Sequence, residues 1–106
     1  MKGFGGGLQQ LMKQANQMQI KIKKVQEELA GQVFEGSSGG GAVTVKVTGD
    51  NKVQSVTIKA DVMESGDAEM LQDLVVVAVN EALKTAKTTS DAEMQKVTGG
   101  AMPGMF

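Results

Sequence analysis

The N-terminal part of the chain has apolar residues at alternating spacings of three and four positions. Because an α-helix turns every 3.6 residues, side chains at these spacings fall on one side of a helix. A pattern maintained for about three heptads is also typical of a coiled-coil seam. It predicts a helix from Leu8 to Ala30, ended by Gly31. The seam consists of Leu8, Leu11, Ala15, Met18, Ile22, Val25 and Leu29.

The middle of the chain changes to a two-residue alternation, which predicts strands. Val43, Val45 and Val47 alternate with polar residues, as expected for a strand from 42 to 48 that is buried on one face. Turn residues at 49–52 separate it from a strand at 53–59 with Val56 and Ile58 on its apolar face. A short strand is predicted at 32–35, followed by a mobile glycine- and serine-rich connection at 36–41. These segments predict a three-stranded antiparallel sheet.

A second long helix is predicted after the sheet. Asp67 suits its N-cap position, and Glu69 adds favourable negative charge to its first turn. Ser90 and Glu93 have the spacing of a capping box, so the sequence leaves open whether the helix is continuous or restarts near Ser90. The apolar stripe of this helix consists of Leu71, Leu74, Val75, Ala78, Ala82 and Ala86.

The predicted fold is a single α+β domain over residues 1–106, with a flexible N-terminus at 1–7 and a flexible tail at 99–106. The two helices would be about 34 Å and 45 Å long. Both exceed the diameter of a compact globule of this length, which is about 33 Å. Three short strands also leave open sheet edges. These mismatches predict a homodimer whose sheets meet at the centre and whose helices project.

Charge is segregated along the chain although the net charge is only −1. Five lysines and no acid precede Glu27, whereas six lysines and all 12 acids lie in the remainder. Clustered charge, rather than net charge, decides whether a polyanion binds. The first helix is therefore the candidate binding element for a polyanion.

The composition gives little support to catalysis or metal binding. The chain has no His, Cys, Tyr or Trp, so a serine nucleophile would lack its usual base and no thiolate site exists. Ser37 and Ser38 lack the Gly-Lys-Ser/Thr ending of a phosphate-binding P-loop. No cofactor, metal or small-molecule substrate is predicted. Without a signal-like or membrane-spanning apolar run, the protein is expected to be soluble and cytoplasmic.

The lysines of the first helix have three interpretations. They could form a solvated face, with Lys23–Glu27 and Lys24–Glu28 as ion pairs four residues apart. They could bind a membrane surface, although the seam is narrow and lacks Trp and Phe. They could contact nucleic-acid phosphates, in which case the donors along one side would be Gln10, Lys13, Gln14, Gln17 and Lys21.

Several segments resemble the YbaB/EbfC family of bacterial nucleoid-associated proteins. They are residues 12–19 in the first helix, 35–45 in the sheet, 70–75 and 79–84 in the second long helix, and the ending 99–106. The resemblance covers nearly the whole chain. Two departures are that Lys59-Ala60-Asp61 follows the third strand where the family commonly has a proline, and that no basic position is arginine.

The resemblance implies a homodimer with long helices that protrude like tweezers to hold double-stranded DNA. The function expected from it is low-selectivity DNA binding in chromosome organisation and gene regulation, in the nucleoid and without enzymatic activity. The alternative is a coiled-coil adaptor that binds helices of another protein. The DNA contacts implied by the resemblance are Gln10, Lys13, Gln14, Gln17, Lys21, Lys84, Lys87 and Lys96.

Overall fold

A computed structural model describes residues 2–99 of the chain, with side chains described from residue 7. The elements are α1 (Lys2–Ala30), β1 (Val33–Ser38), β2 (Val43–Thr48), β3 (Val53–Ile58), α2 (Ala60–Glu64) and α3 (Ala68–Thr98). The predicted order of long helix, three strands and long helix is confirmed. The short helix α2 was not predicted. Residues 100–106 of the predicted flexible tail lie outside the described residues.

α1 begins earlier than predicted. It includes the glycines that precede Leu8, so the predicted helix start at Leu8 is wrong. Residues 2–7 belong to the helix and do not form a separate segment before it. Helical hydrogen bonds can form without a Cβ atom, and the lower propensity of glycine, about 1 kcal/mol per residue, does not forbid the conformation. The predicted C-terminal end at Ala30 is confirmed.

The three strands form an antiparallel sheet in the order β1-β2-β3. Val33 pairs with Thr48 and Ser38 with Val43 across the first two strands. β2 and β3 match the prediction within one residue at each end. β1 extends to Ser38, so the prediction that it ends at Glu35 and that a connection begins at residue 36 is wrong.

The predicted β1 is too short because Gly36 indicates a loop by composition, whereas in the structure this glycine allows α3 to pack closely on the strand. A Cβ atom on Gly36 would meet the backbone nitrogen of Ala82 and would lie 2.8 Å from its Cα atom. Glycine is therefore required where α3 crosses β1. The glycine- and serine-rich composition of residues 36–41 is nevertheless typical of a loop. The Ser38 hydroxyl donates a hydrogen bond of 2.6 Å to the Leu74 carbonyl of α3, which also gives it a structural role.

The core lies between the sheet and the N-terminal two-thirds of α3. Val43, Val45 and Val47 of β2 have no exposed surface, and neither do Ala78 and Ala82 of α3. Small alanines let the helix approach the sheet closely, and the predicted stripes of both elements are confirmed. We call β1–β3 with residues 68–86 of α3 the base of the molecule.

α3 is one continuous helix, which answers the question that the sequence leaves open at Ser90. Its start is as predicted, because the Asp67 carboxylate accepts a hydrogen bond of 3.0 Å from the Met70 amide. Its end is capped by Gly99 in the left-handed conformation, whose N–H donates to the Gln95 carbonyl. Ser90 is half-buried within the helix, where it lines a cleft with Gly49 and Asn51, and it has no capping role.

The C-terminal part of α3 and the whole of α1 form an elongated arm, which we define as α1 with residues 87–98. Leu29 belongs to the same buried cluster as Ala86, whereas Met18 borders a cleft with Val97. The two helices therefore run antiparallel. The molecule measures 77 × 25 × 16 Å, which agrees with the prediction that the helices overrun a compact body.

Candidate nucleic-acid interface

The five polar residues predicted on α1 share one face of the helix. At about 100° per residue, Gln10, Lys13, Gln14, Gln17 and Lys21 fall within a sector about 100° wide. All five side chains are exposed. The sector lies beside the apolar seam rather than opposite it, so a ligand on this face would also contact the flank of the arm.

Part of this face borders a cleft between the two helices of the arm. Gln14, Gln17 and Lys21 line the cleft with Met18, and Val97 closes it from α3. Two glutamine side chains and one lysine side chain therefore line the same cleft as the apolar side chains of Met18 and Val97. Such donors suit phosphate oxygens, which accept hydrogen bonds from lysine and glutamine side chains.

Lys24 is a further member of the α1 face that the sequence analysis did not select. It lies three residues after Lys21 and seven after Gln17, which places it in the same sector, and its side chain is exposed. The spacing of the lysines would have revealed it, but Lys24 was assigned to an ion pair with Glu28. We call the six residues the lysine–glutamine face: Gln10, Lys13, Gln14, Gln17, Lys21 and Lys24.

The ion pairs predicted on α1 are absent. Described side chains form three ion pairs, and neither Lys23–Glu27 nor Lys24–Glu28 is among them. Acids appear on α1 only from Glu27 onwards. The lysines of α1 are therefore not neutralised within their own helix over residues 7–26.

The three lysines predicted on α3 do not form one surface. Lys84 and Lys87 are three residues apart and share a face, whereas Lys96 follows Lys87 by nine residues and points about 180° away from it. Helical spacing in the sequence is enough to separate them. A rigid duplex on one side of α3 could contact either Lys96 or the other two.

Two of the α3 lysines are paired with acids. The Lys87 ammonium lies 3.5 Å from the Asp91 carboxylate, and the Lys96 ammonium lies 3.2 Å from that of Glu93. Exposed pairs of this kind contribute little stability, so a phosphate could displace either acid. The acids nevertheless lower the local positive charge, which makes α3 a weaker anion-binding element than α1.

Two further properties of the described residues bear on function. Residues 2–99 contain no group of three acidic residues placed to hold a metal ion. They also contain no helix that is both long and apolar enough to span a membrane.

Some known proteins are similar to this chain in sequence, and a solved structure is similar to it in fold. The chain is 50% identical over 106 residues to a nucleoid-associated protein of Acetivibrio thermocellus, covering 98% of this chain and 94% of that protein. It is 52% identical over 107 residues to one from Clostridium novyi, with the same coverage. An uncharacterized protein of Helicobacter pylori has the same fold, with a TM-score of 0.62 at 22% identity, over 74% of this chain and 90% of that one. The model of the YbaB/EbfC DNA-binding family matches residues 4–102, and the chain belongs to that family.

Proposed function

We propose that this protein binds double-stranded DNA as a homodimer, mainly through phosphate contacts and with low sequence selectivity. The observation that carries the proposal is the exposed lysine–glutamine face of α1, on a helix without an acid before Glu27. Membership of a DNA-binding family supports the choice of ligand. Its relatives are nucleoid-associated proteins, which supports a place in the nucleoid, where such binding would organise the chromosome and influence gene expression.

Low selectivity follows from the kind of donors available. Direct readout of base pairs most often uses arginine forked onto guanine, and all 11 basic residues here are lysines. A lysine ammonium contacts phosphate as a point charge, independently of the base sequence. Each missing base contact forgoes about 1–3 kcal/mol of discrimination. Arbitrary duplexes are therefore expected to bind within roughly tenfold of any preferred site.

A salt titration tests the DNA-binding proposal. If the dimer makes about six phosphate contacts, log K should fall with log salt concentration at a slope near −5. Replacing Lys13 and Lys21 with Gln should weaken binding to all duplexes by roughly tenfold or more and flatten the slope, because fewer counterions are released. Fluorescence anisotropy with random-sequence duplexes at several salt concentrations measures both quantities.

A matched control variant loses the same two positive charges at positions outside the lysine–glutamine face. Lys23 lies on the other side of α1 and Lys46 on the outer side of the sheet, and both are exposed. Lys23→Gln combined with Lys46→Gln should retain the full slope. Equal losses in the two double variants, or one duplex preferred a thousandfold, would contradict phosphate contact through the lysine–glutamine face.

Uncovered apolar surface supports the dimer. α3 covers β1 and β2 but leaves Val53 and Val56 of β3 about half exposed, at 51% and 43%. Met63 of α2 and Met70 of α3 add to the exposed apolar area. Water contact with this much apolar surface is unfavourable, and a second copy that covered it would also shield the open edge of β3.

Sedimentation equilibrium at micromolar concentration should give twice the chain mass of 11.1 kDa. Val56→Asp should shift the protein toward monomer, because it places a carboxylate in the proposed contact. Ser55→Asp changes the neighbouring residue, on the opposite side of β3, and should leave the dimer intact. A folded monomer of the unsubstituted chain at that concentration would contradict the dimer.

Exposed apolar side chains on α1 favour the alternative function of a helix-binding adaptor. Leu8, Leu11 and Met12 are 60%, 64% and 59% exposed. Binding through such residues would depend weakly on salt, whereas phosphate binding weakens steeply. The titration described above therefore distinguishes the two functions.

A further inference from the structure

Ile20 is the most exposed large apolar side chain among those that the structure describes, at 67%. It takes no part in the seam, because it lies about 160° around α1 from the half-buried seam residues Met18 and Ile22. α3 packs on the seam side of the helix, where Val97 borders the cleft beside Met18. Packing within residues 7–99 therefore does not explain an isoleucine at this position.

Lysine and glutamine side chains flank Ile20 on the exposed side of α1. Lys13 lies about 20° from it around the helix, Lys24 about 40° and Gln17 about 60°. All three are exposed members of the lysine–glutamine face. The nearest acid on the same ridge is Glu27, about 10 Å further along the axis. A polyanion bound to the lysine–glutamine face would therefore lie against Ile20 as well.

The positions of the two lysines suit a helix in the major groove of DNA. Lys13 and Lys24 are about 17 Å apart along the axis of α1, with Ile20 between them. The major groove of B-DNA is about 12 Å wide and admits an α-helix, whereas the minor groove is only about 6 Å wide. A helix inclined across the major groove can place both ammonium groups on phosphates of opposite walls. The side chain between the lysines then points at the edges of the base pairs.

Only one of the four nucleobases presents a methyl group in the major groove. Thymine carries it at C5, whereas the other three are distinguished there by hydrogen-bond donors and acceptors. We propose that Ile20 contacts thymine methyl groups in the major groove while the lysines beside it bind phosphates. The inference rests on the proposed DNA binding and adds to it a weak preference for thymine. Each methyl contact is worth about threefold, so two contacts in a dimer stay within the tenfold selectivity expected above.

Replacing thymine with uracil tests the contact, because the two nucleobases form the same base pair with adenine and differ only in the methyl group. Two duplexes of one A·T-rich sequence, with either dT or dU in both strands, are compared by fluorescence anisotropy at one salt concentration. The natural protein should bind the dT duplex about three- to tenfold more tightly. Ile20→Ala should bring the ratio of the two dissociation constants close to one. Its melting temperature should be unchanged, because the side chain is exposed.

Leu11→Ala provides the matched control. Leu11 is 64% exposed on the same helix but lies about 180° from Ile20, on the side of the seam. This variant should keep the full preference for the dT duplex. An effect of uracil on the stiffness of the duplex would appear equally in all three proteins, so the comparison separates it from a contact at Ile20.

Two results would overturn the thymine contact and leave the DNA-binding proposal intact. The first is equal affinity of the natural protein for the two duplexes, which insertion of Ile20 into the minor groove would also produce, because the methyl group lies in the major groove. The second is a preference for dT that persists unchanged in Ile20→Ala. Absence of salt-sensitive binding to either duplex would overturn both proposals, so the two failures are distinguishable.

Discussion

The base and the arm each contain a helix with an apolar stripe, yet they bury their apolar side chains very differently. In the base, Val43, Val45, Ala78 and Ala82 have no exposed surface. In the arm, Ile20 is 67% exposed and Leu11 is 64% exposed, although both belong to a helix with a clear apolar period. The base has a sheet and a helix that enclose each other's side chains, whereas the arm has only two helices and no third layer.

This difference shows that apolar periodicity predicts a helix more reliably than it predicts burial. The period fixes which side chains share a face. Whether that face is covered depends on where the neighbouring element ends. Free energy of folding therefore comes mostly from the base, and the arm is free to present residues to ligands. Substitutions in the base should therefore lower the free energy of unfolding more than substitutions in the arm.

The largest effect is expected in the base at Gly36. Gly36→Ala places a methyl group against the Ala82 backbone of α3, where neither strand nor helix can move cheaply. Overpacking of this kind should lower the free energy of unfolding by about 3 kcal/mol. The melting temperature should fall by roughly 12 °C or more. Differential scanning calorimetry measures the change.

A glycine of the arm provides the matched control for this substitution. A Cβ atom on Gly7 would meet nothing within 4 Å. Gly7→Ala should not destabilise the protein and should increase the helicity of α1, because alanine is the better helix former by about 1 kcal/mol. Similar melting temperatures for the Gly36 and Gly7 variants would contradict the claim that the base is closely packed and the arm is not.

A smaller effect is expected for a charge in the seam of the arm. Ile22 is half-buried against α3, so Ile22→Asp should lower the free energy of unfolding by about 1–2 kcal/mol and loosen the arm. Ile20→Asp makes the same change at an exposed position of the same helix and should be nearly neutral. Thermal melting combined with hydrogen exchange of α1 separates a local effect from a global one. Equal destabilisation by both variants would contradict the assignment of the seam.

The sequence predicted the elements of the base well wherever local pattern and tertiary packing agree. The alternation in β2 and the Asp67 cap of α3 are local features, and both were predicted correctly. The extension of β1 through Gly36 could not be predicted, because glycine is needed there for an approach by a helix more than 40 residues later in the chain. The continuity of α3 at Ser90 could not be decided from the sequence either, since a capping-box spacing also occurs inside continuous helices.

The candidate site was predictable to the extent that helical spacing alone defines it. Spacing placed Lys13 and Lys21 on one face, and it should also have included Lys24. Ion pairing was less predictable, because exposed partners four residues apart do not always meet. Lys87 pairs with Asp91, whereas Lys24 does not pair with Glu28. Side-chain rotamers of similar energy decide between such outcomes, and the sequence does not encode that choice strongly.

The smallest effect is expected at Asp50, in the turn between β2 and β3. The Thr48 hydroxyl donates a hydrogen bond to the Asp50 carboxylate, and the Lys52 ammonium lies 3.6 Å from it. The hydrogen bond from Thr48, aided by Lys52, lowers the pKa of Asp50 below its ordinary value of 3.8. A lowered pKa in the folded state means that the ionised carboxylate stabilises the fold above pH 3.8, and that this contribution is lost as the pH falls through the folded-state pKa.

The side chain is exposed to solvent, so the contribution should be small. Asp50→Asn removes the charge while keeping the shape of the side chain. The melting temperature of the natural protein should exceed that of the variant slightly at neutral pH, and the two curves should converge in acid, below the folded-state pKa. Calorimetric scans from neutral to acidic pH measure the convergence. A difference that persisted unchanged to the lowest pH would show that the turn depends on geometry rather than on the charge of Asp50.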